Sequence, residues 1–442
     1  MGLPVYTEEH QVASVTRWRR NDRSVALLIP CHLALGSISL ICVARIYPAY
    51  HVIFSNEMLP AAAATVAAFA ILAVLFVRAR FNFGYFAGYY LFVIIAGYLW
   101  LNNFSEFGYN HRLSGLSAAT SAVVFLVAAL SRPNLPRLLT LSPQAFERLL
   151  GCIVLIGIAA AAIGAYYNFR LVSLGDIYTY RETLIGPTLV NYLVGTTTTT
   201  LLPFAFACYA VRGSLWRACL ILILLMLFYP VTLSKQAFFA PAWLVLMVVI
   251  TRLVNLRLTV ILSLLVPTAA GVILLGLCQY GLLPERFAMS AFQLVNFRMV
   301  AIPSLAMDYY NEFFFTHVVT HFCQISYLKP IMPCAYQEPI AVVIYNWFGI
   351  GGYMNASLFA TEGIASVGPL LAPISAFVCG VIIALANGMS AGISQRIVLV
   401  SGALLPQTLL NVPFTTVMLT HGSVLLFLLW YVMPRDSSEQ PD

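Results

Sequence analysis

The stretch from 296 to 324, NFRMVAIPSLAMDYYNEFFFTHVVTHFCQ, gathers chemically active side chains in a chain with only 9% charged residues. It contains Arg298, two acids (Asp308 and Glu312) and two histidines (His317 and His321). The members of each acidic and each histidine pair are four residues apart, so a helix would place them on one face. Because neutral imidazole accepts a proton near pH 7, either histidine is a candidate general base; a structural hydrogen bond is the alternative. HVVTH lacks the glutamate of zinc peptidase motifs, and we predict no metal site.

Two other segments carry fixed positive charge. GDIYTYRETLIGP, residues 175–187, contains Tyr180 and Arg181, and TLSKQAFF, residues 232–239, contains Lys235 in a predicted tight hairpin between two spans. With Arg298, these residues provide three cations on three segments that could meet at one depth. A diphosphate at the level of lipid headgroups is the natural ligand for such a set. Taken singly, each cation is better explained as an interfacial side chain that reaches water or as the partner of a nearby acid.

The rest of the chain must position these residues in a membrane. With 61% hydrophobic residues and a mean hydropathy of +0.89, the chain has too little polar surface for a water-soluble globule. The apolar segments are long enough for helices that cross a hydrocarbon core of about 30 Å. We therefore predict an all-α polytopic membrane protein with about twelve spans. They lie near residues 24–44, 60–77, 83–101, 113–130, 149–166, 188–211, 218–233, 237–251, 258–279, 365–387, 397–412 and 414–433.

Most arginines fall at alternate ends of these spans, which predicts cytoplasmic N- and C-termini. The net charge of +7 is then a signal of topology and gives no indication of nucleic-acid binding. We expect residues 1–442 to form one transmembrane domain, whose outer loops 167–187 and 280–364 carry the active-site face. The longer loop is apolar and predicts short amphipathic helices against the bundle and the membrane surface. Cys323 and Cys334 lie in this loop, where an oxidising compartment would permit a disulfide.

The threonine run 196–200 allows two interpretations. Its hydroxyl groups can bond to backbone carbonyls in an ordinary helix, or they can form a polar stripe along a cavity.

The order of short motifs from about residue 150 onward resembles the O-antigen polymerases of the Wzy type and, more distantly, the O-antigen ligases. These motifs are YTYR, LSKQ, FRMVAIPS, YYNEFF, YMNASLFATEGIASVG and TVMLTHG. The resemblance implies a GT-C-type, inverting and metal-independent glycosyltransferase without a cofactor, at the periplasmic face of a bacterial inner membrane. Undecaprenyl-diphosphate-linked oligosaccharides would serve as donor and acceptor. Membrane lipids and a chain-length regulator protein are the other expected partners.

The resemblance also implies roles for individual residues. The family's basic residues map onto Arg181, Arg298 and Lys235; Arg298 and Lys235 would neutralise the diphosphate leaving group. Arg181 would hold the same diphosphate or the acceptor. The other side chains expected to contact the substrate are Tyr180, Tyr309, Tyr310 and Asn355.

One departure concerns the catalytic base. Where the ligases have a histidine before an asparagine, this chain has Tyr353, Met354 and Asn355. This favours a polymerase over a ligase that transfers the glycan to lipid A core, and it leaves Glu362, His321 and His317 as candidate bases. A transporter of lipid-linked sugars is the other alternative, for which we would expect paired repeats and charges within the spans.

Overall fold

The computed structural model describes residues 7–173, 176–177, 180, 184, 186–325 and 327–435, with side chains from residue 22 onward. Within these ranges the chain is helical, and its only extended pairing is an isolated bridge between Val52 and Ser105. Ten of the helices in the described part are long and apolar enough to cross a membrane. The all-α, polytopic prediction is therefore confirmed.

The helices are numbered in chain order. The ten candidate spans are α1 (Thr7–Ile46, apolar from Asp22), α2 (Leu59–Arg78), α3 (Phe83–Leu101), α4 (His111–Ala129), α5 (Pro143–Tyr167), α6 (Thr188–Val211), α7 (Leu215–Thr232), α8 (Lys235–Leu253), α9 (Leu256–Gln279) and α13 (Phe359–Met389). Between α9 and α13 lie α10 (Glu285–Phe292), α11 (Ile302–Thr316) and α12 (Ile340–Phe348). After α13 come α14 (Gln395–Ser401), α15 (Leu405–Asn411), α16 (Phe414–Leu419) and α17 (Ser423–Val432).

Helix α3 is the centre of the bundle, and every one of its residues is buried. It is apolar on all sides, as expected for a helix that other helices surround. Its glycines permit close approach: a Cβ atom at Gly84 would overlap the carbonyl oxygen of Ala129 on α4. Helix α11 also packs against α3, where the Ser304 hydroxyl donates to the carbonyl of Ile94 at 3.0 Å.

The two ends of the bundle differ in chemistry. At the end we call the arginine face, the guanidinium of Arg257 lies 2.5 Å from the Asp22 carboxylate and donates to the carbonyl of Val77 at 2.9 Å. The Arg137 guanidinium there donates to the carbonyl of Met389, also at 2.9 Å. The opposite end, which we call the loop face, contains the turn between α7 and α8 and the segments 47–58, 102–110 and 280–358.

Two features differ from the sequence prediction. The predicted spans 397–412 and 414–433 are each divided into two short helices, with the second break at Gly422, whose φ of 76° is left-handed. The segment after α9 forms one helical run, Glu285 to Thr316, with a π-helical middle at Gln293–Ala301. Its last part, α11, is buried against α3 and α13, so the predicted packing against the bundle holds there and the predicted location at the membrane surface does not.

The two cysteines of the large loop are joined in a disulfide, Cys323 to Cys334. The bond connects two points of the loop between α11 and α12 that are eleven residues apart.

Candidate functional site

A cavity of about 500 Å³ opens at the loop face between α5, α6, α7 and α8. Its described lining includes the side chains of seven polar residues that carry no fixed charge: Asn168, Asn191, Thr198, Thr199, Ser234, Gln236 and His421. Among the lining residues that the structure describes there is no aspartate, glutamate, lysine or arginine. A cavity of this size and polarity suits a small uncharged ligand with many hydroxyl groups.

The threonine run forms one wall of this cavity. Residues Thr197–Leu201 are π-helical, an irregularity that is frequent at functional sites. The Thr198 hydroxyl donates to the carbonyl of Val194 at 2.8 Å, and Thr198 and Thr199 line the cavity. The same turn therefore shows both features: hydroxyl bonds to backbone carbonyls and polar side chains along a cavity.

Threonines of the same run also bond to the backbone at the break between α16 and α17. Thr199 and Thr200 each donate a hydroxyl hydrogen bond of 2.7 Å to the carbonyl of His421, and Thr196 donates to that of Thr420 at 3.1 Å. These bonds satisfy carbonyls that the broken helix leaves without an intrahelical donor. The backbone of the break is thereby fixed, and His421 is one of the residues that line the cavity.

Lys235 lies between two residues that line the cavity. It is the first residue of α8, and its neighbours Ser234 and Gln236 both contribute to the lining. The hairpin before it turns at Leu233, which has a left-handed φ of 44°. The Gln236 amide donates to the Thr408 hydroxyl at 3.2 Å and so ties this turn to α15. The predicted tight hairpin is confirmed.

Arg298 is exposed on the π-helical segment before α11. The ring of its neighbour Phe297 stacks on Tyr47 at 4.1 Å and meets Tyr50 edge-on at 5.1 Å. Burial raises the pKa of the Tyr50 hydroxyl, and the nearby charge of Arg298 opposes that rise. These contacts involve α1 and the turn after it, whereas Lys235 belongs to the α7–α8 turn. Convergence of Arg298 and Lys235 on one anion remains a prediction.

Hydrogen bonds of the Asn296 side chain fix the π-helical segment. Its buried amide donates to the Ser39 hydroxyl at 2.9 Å and to the Thr268 carbonyl at 3.0 Å. A Cβ atom at Gly271 would overlap the side-chain oxygen of Asn296. Glycine at 271 is therefore what lets the amide sit between α1 and α9.

Asp308 and Glu312 share a face of α11, as their spacing predicts. The fully buried Asp308 carboxylate accepts hydrogen bonds from the Tyr109 hydroxyl and from the Ser105 hydroxyl, the latter at 2.8 Å. Glu312 accepts from the amides of Gly108 and Tyr109 at 3.0 and 3.1 Å. The two acids thus fasten the segment between α3 and α4 onto α11.

Burial raises the pKa of the Asp308 carboxyl to about 7 from an ordinary value of 3.8. The hydrogen bonds from Tyr109 and Ser105 oppose this rise, and the charge of Glu312 adds to it. Sequence reasoning noted the spacing of these acids but assigned them no role, because their partners are about 200 residues away in the chain.

Glu362, a candidate base, is 5% exposed and accepts hydrogen bonds from the residues that begin α16. Its donors are the amides of Phe414 at 3.1 Å and Thr415 at 2.9 Å, and the hydroxyls of Thr415 and Thr361. These contacts connect α13 to α16.

The two histidines of HVVTH do not share a helix face, so that expectation is wrong. Helix α11 ends at Thr316, and His317 has extended backbone angles (φ −113°, ψ 156°). The His317 ring stacks on Phe313 with centroids 4.0 Å apart. His321 is exposed in a left-handed turn, where its amide donates to the Ser366 carbonyl at 3.0 Å.

The remaining candidate residues are dispersed over the loop face. Tyr180 is exposed, and the Arg170 guanidinium lies 6.0 Å from its ring centroid. Tyr309 is buried and packs edge-on against Phe107 and Phe348. Other predicted residues have these positions: Tyr310 is buried on α11, Asn355 is exposed in the segment before α13, and Arg181 lies outside the described residues.

His421 is the residue that sequence reasoning missed. It was quoted only as part of a motif, because a lone histidine in an apolar segment gives no spacing signal. Among the described residues, no group of three or more His, Cys, Asp and Glu side chains could hold a metal ion. No protein family model matches the chain, and neither a curated protein nor a solved structure matches it.

Proposed function

We propose that the protein is a membrane glycosyltransferase that polymerises undecaprenyl-diphosphate-linked oligosaccharide repeat units at its loop face. The observation that carries this proposal is the cavity whose described lining combines apolar side chains with uncharged polar ones, with Lys235 next to two of its lining residues. A lipid-linked oligosaccharide is complementary to this arrangement, because its neutral sugar rings adjoin an anionic diphosphate at headgroup level.

The proposed reaction needs little from the protein beyond positioning and charge. A hydroxyl group of the acceptor sugar attacks the anomeric carbon of the donor, a new C–O bond forms, and the bond from that carbon to the diphosphate oxygen breaks. Undecaprenyl diphosphate leaves with the electron pair, and the hydroxyl proton passes to a base. Lys235 and Arg298 would stabilise the growing charge on the leaving group. In this proposal the loop face is periplasmic, in a GT-C-type arrangement that includes the divided helices α14–α15 and α16–α17 as the last two spans.

The base remains a choice among the predicted candidates. Glu362 accepts from three donors at the start of α16 and from the hydroxyl of Thr361, and the His317 ring is stacked on Phe313. His321 is exposed, so it is the candidate that substrate reaches without rearrangement.

Reconstitution in lipid nanodiscs tests the proposal. The purified protein is incubated with its lipid-linked repeat unit, without nucleotide or divalent metal, and the products are separated by size. We expect a ladder from the wild type, and a loss of at least about 100-fold in rate from Lys235→Ala and Arg298→Ala, the scale of an oxyanion-stabilising group. Arg298→Lys should also be poor, because a point charge does not replace a planar fork.

Lys329→Ala is the matched control. Lys329 is another exposed cation of the loop face, and its ammonium donates to the Gln337 carbonyl at 3.1 Å. Its variant should give a normal ladder. A normal ladder from both Lys235→Ala and Arg298→Ala would refute the proposed leaving-group site. If product forms only after lipid A core is added, the protein is a ligase and the polymerase proposal is refuted.

A further inference from the structure

We infer that the cavity beside Lys235 binds the terminal sugar of the acceptor, and that His421 recognises one of its hydroxyl groups. This inference rests on the proposed function and assigns one substrate to one place. It concerns the cavity lined by α5, α6, α7, α8 and the break between α16 and α17.

The first argument is the state of the His421 side chain. Its Nδ1 atom is shielded from water and has no hydrogen-bond partner among the described residues. An unpaired buried polar atom is costly, typically by about 1–3 kcal/mol, and natural structures leave few of them. Because Nδ1 is shielded, a ligand in the cavity reaches it only if the ring turns; His421 is partly buried and lines the cavity, and such a turn would complete its hydrogen bonding.

The second argument is that several contacts fix the backbone around His421. Three threonine hydroxyls fix the carbonyls of Thr420 and His421. The next residue, Gly422, adopts a left-handed φ of 76°, and a Cβ atom there would lie 2.6 Å from Cγ2 of Thr196. The backbone that carries the imidazole is therefore fixed by these bonds and by a neighbouring helix. A preorganised polar group of this kind gives specificity at low entropic cost.

The third argument is the chemical class of the ligand. The described lining provides hydroxyl, amide and imidazole groups on Thr198, Thr199, Asn191, Gln236 and His421 and carries no fixed charge. Sugar hydroxyls both donate and accept, which such groups can match. The lining residues that the structure describes offer a diphosphate no cation, whereas Lys235 is next to Ser234 and Gln236 at the edge of this lining. The neutral end of the acceptor thus fits inside, with the donor diphosphate at the rim.

The test uses two tryptophan variants of the same helix and one histidine variant. Ala237 lines the cavity, so Ala237→Trp fills it, whereas Val245 on the same helix is 42% exposed away from it, so Val245→Trp is the matched control. The probe is the repeat-unit oligosaccharide released from its lipid by mild acid. Its binding to nanodisc-embedded protein is measured by saturation-transfer NMR, and acceptor KM and kcat are measured in the polymerisation assay.

We expect the wild type and Val245→Trp to bind the free oligosaccharide and Ala237→Trp to lose it. His421→Ala should raise acceptor KM by about 10-fold with kcat within a factor of two, the value of one hydrogen bond of about 1.4 kcal/mol. Thermal unfolding of each variant verifies that it is folded. Unchanged acceptor KM in both folded His421→Ala and folded Ala237→Trp would overturn the inference, as would displacement of the probe by undecaprenol alone.

The two proposals fail in different ways. If the wild type forms no polymer but binds the free oligosaccharide in the cavity, polymerisation is refuted and the sugar site stands. If the wild type forms polymer and the cavity variants have the same acceptor KM as the wild type, the sugar site is refuted and polymerisation stands.

Discussion

Replacement of Asp308 by asparagine should abolish most of the pH dependence of the protein's stability. The carboxyl group is fully buried, and burial raises its pKa to about 7. In the unfolded chain its pKa is near 3.8, so between these values the folded protein holds the proton more tightly than the unfolded chain does. The resulting stabilisation is complete below pH 3.8 and is lost as the pH rises through 7.

The magnitude follows from the difference between the two pKa values, about three. Each unit corresponds to about 1.4 kcal/mol, so ionisation of Asp308 costs up to about 4 kcal/mol of unfolding free energy. Asparagine has nearly the same shape and stays neutral. Its carbonyl can accept one of the two hydroxyl bonds, and its amide can donate to the oxygen of the other.

The assay is thermal unfolding in nanodiscs between pH 5.5 and 8.5. The wild type should lose about 2 kcal/mol of unfolding free energy between pH 5.5 and 7 and little above pH 7, and Asp308→Asn should change much less. Glu57→Gln is the matched control, because Glu57 is exposed, and it should follow the wild type. Parallel curves for wild type and Asp308→Asn, or greater stability of the wild type at high pH, would refute the reasoning.

Two further predictions concern the supports of the site. Gly271→Ala should lower the unfolding free energy by about 2 kcal/mol, because its methyl group displaces the Asn296 amide; Gly276→Ala on the same helix, which meets no atom within 4 Å, should not. Glu362→Gln should cost about 1–3 kcal/mol, because an amide nitrogen cannot accept from the amides that begin α16. Thermal unfolding measures both effects, and retained elongation by folded Glu362→Gln would exclude that residue as the base.

Hydropathy predicted most of the fold because a span needs only length and apolar composition. Ten predicted segments correspond to helices that can cross a membrane. The breaks within the last two segments could not be predicted in this way. The second break depends on hydroxyl bonds from Thr199 and Thr200, which are more than 200 residues away in the chain.

The site was predicted less completely than the fold. The LSKQ hairpin is local, and its two flanking spans revealed it. The partners of Asp308, the edge-on contact of His317 with Trp347 and the backbone bonds at His421 all depend on contacts between segments that are distant in the sequence. The sequence spacing of HVVTH suggested a shared face only on the assumption of a helix, and α11 ends at Thr316, before both histidines.

The most direct test of the account is the stoichiometry of the reaction. Lipid-linked repeat unit is supplied to the wild-type protein in nanodiscs, and the undecaprenyl diphosphate released is compared with the number of glycosidic bonds formed. The account predicts one molecule of undecaprenyl diphosphate for each new bond, without nucleotide or metal. Release without bond formation, or no release while the substrate is bound, would contradict it.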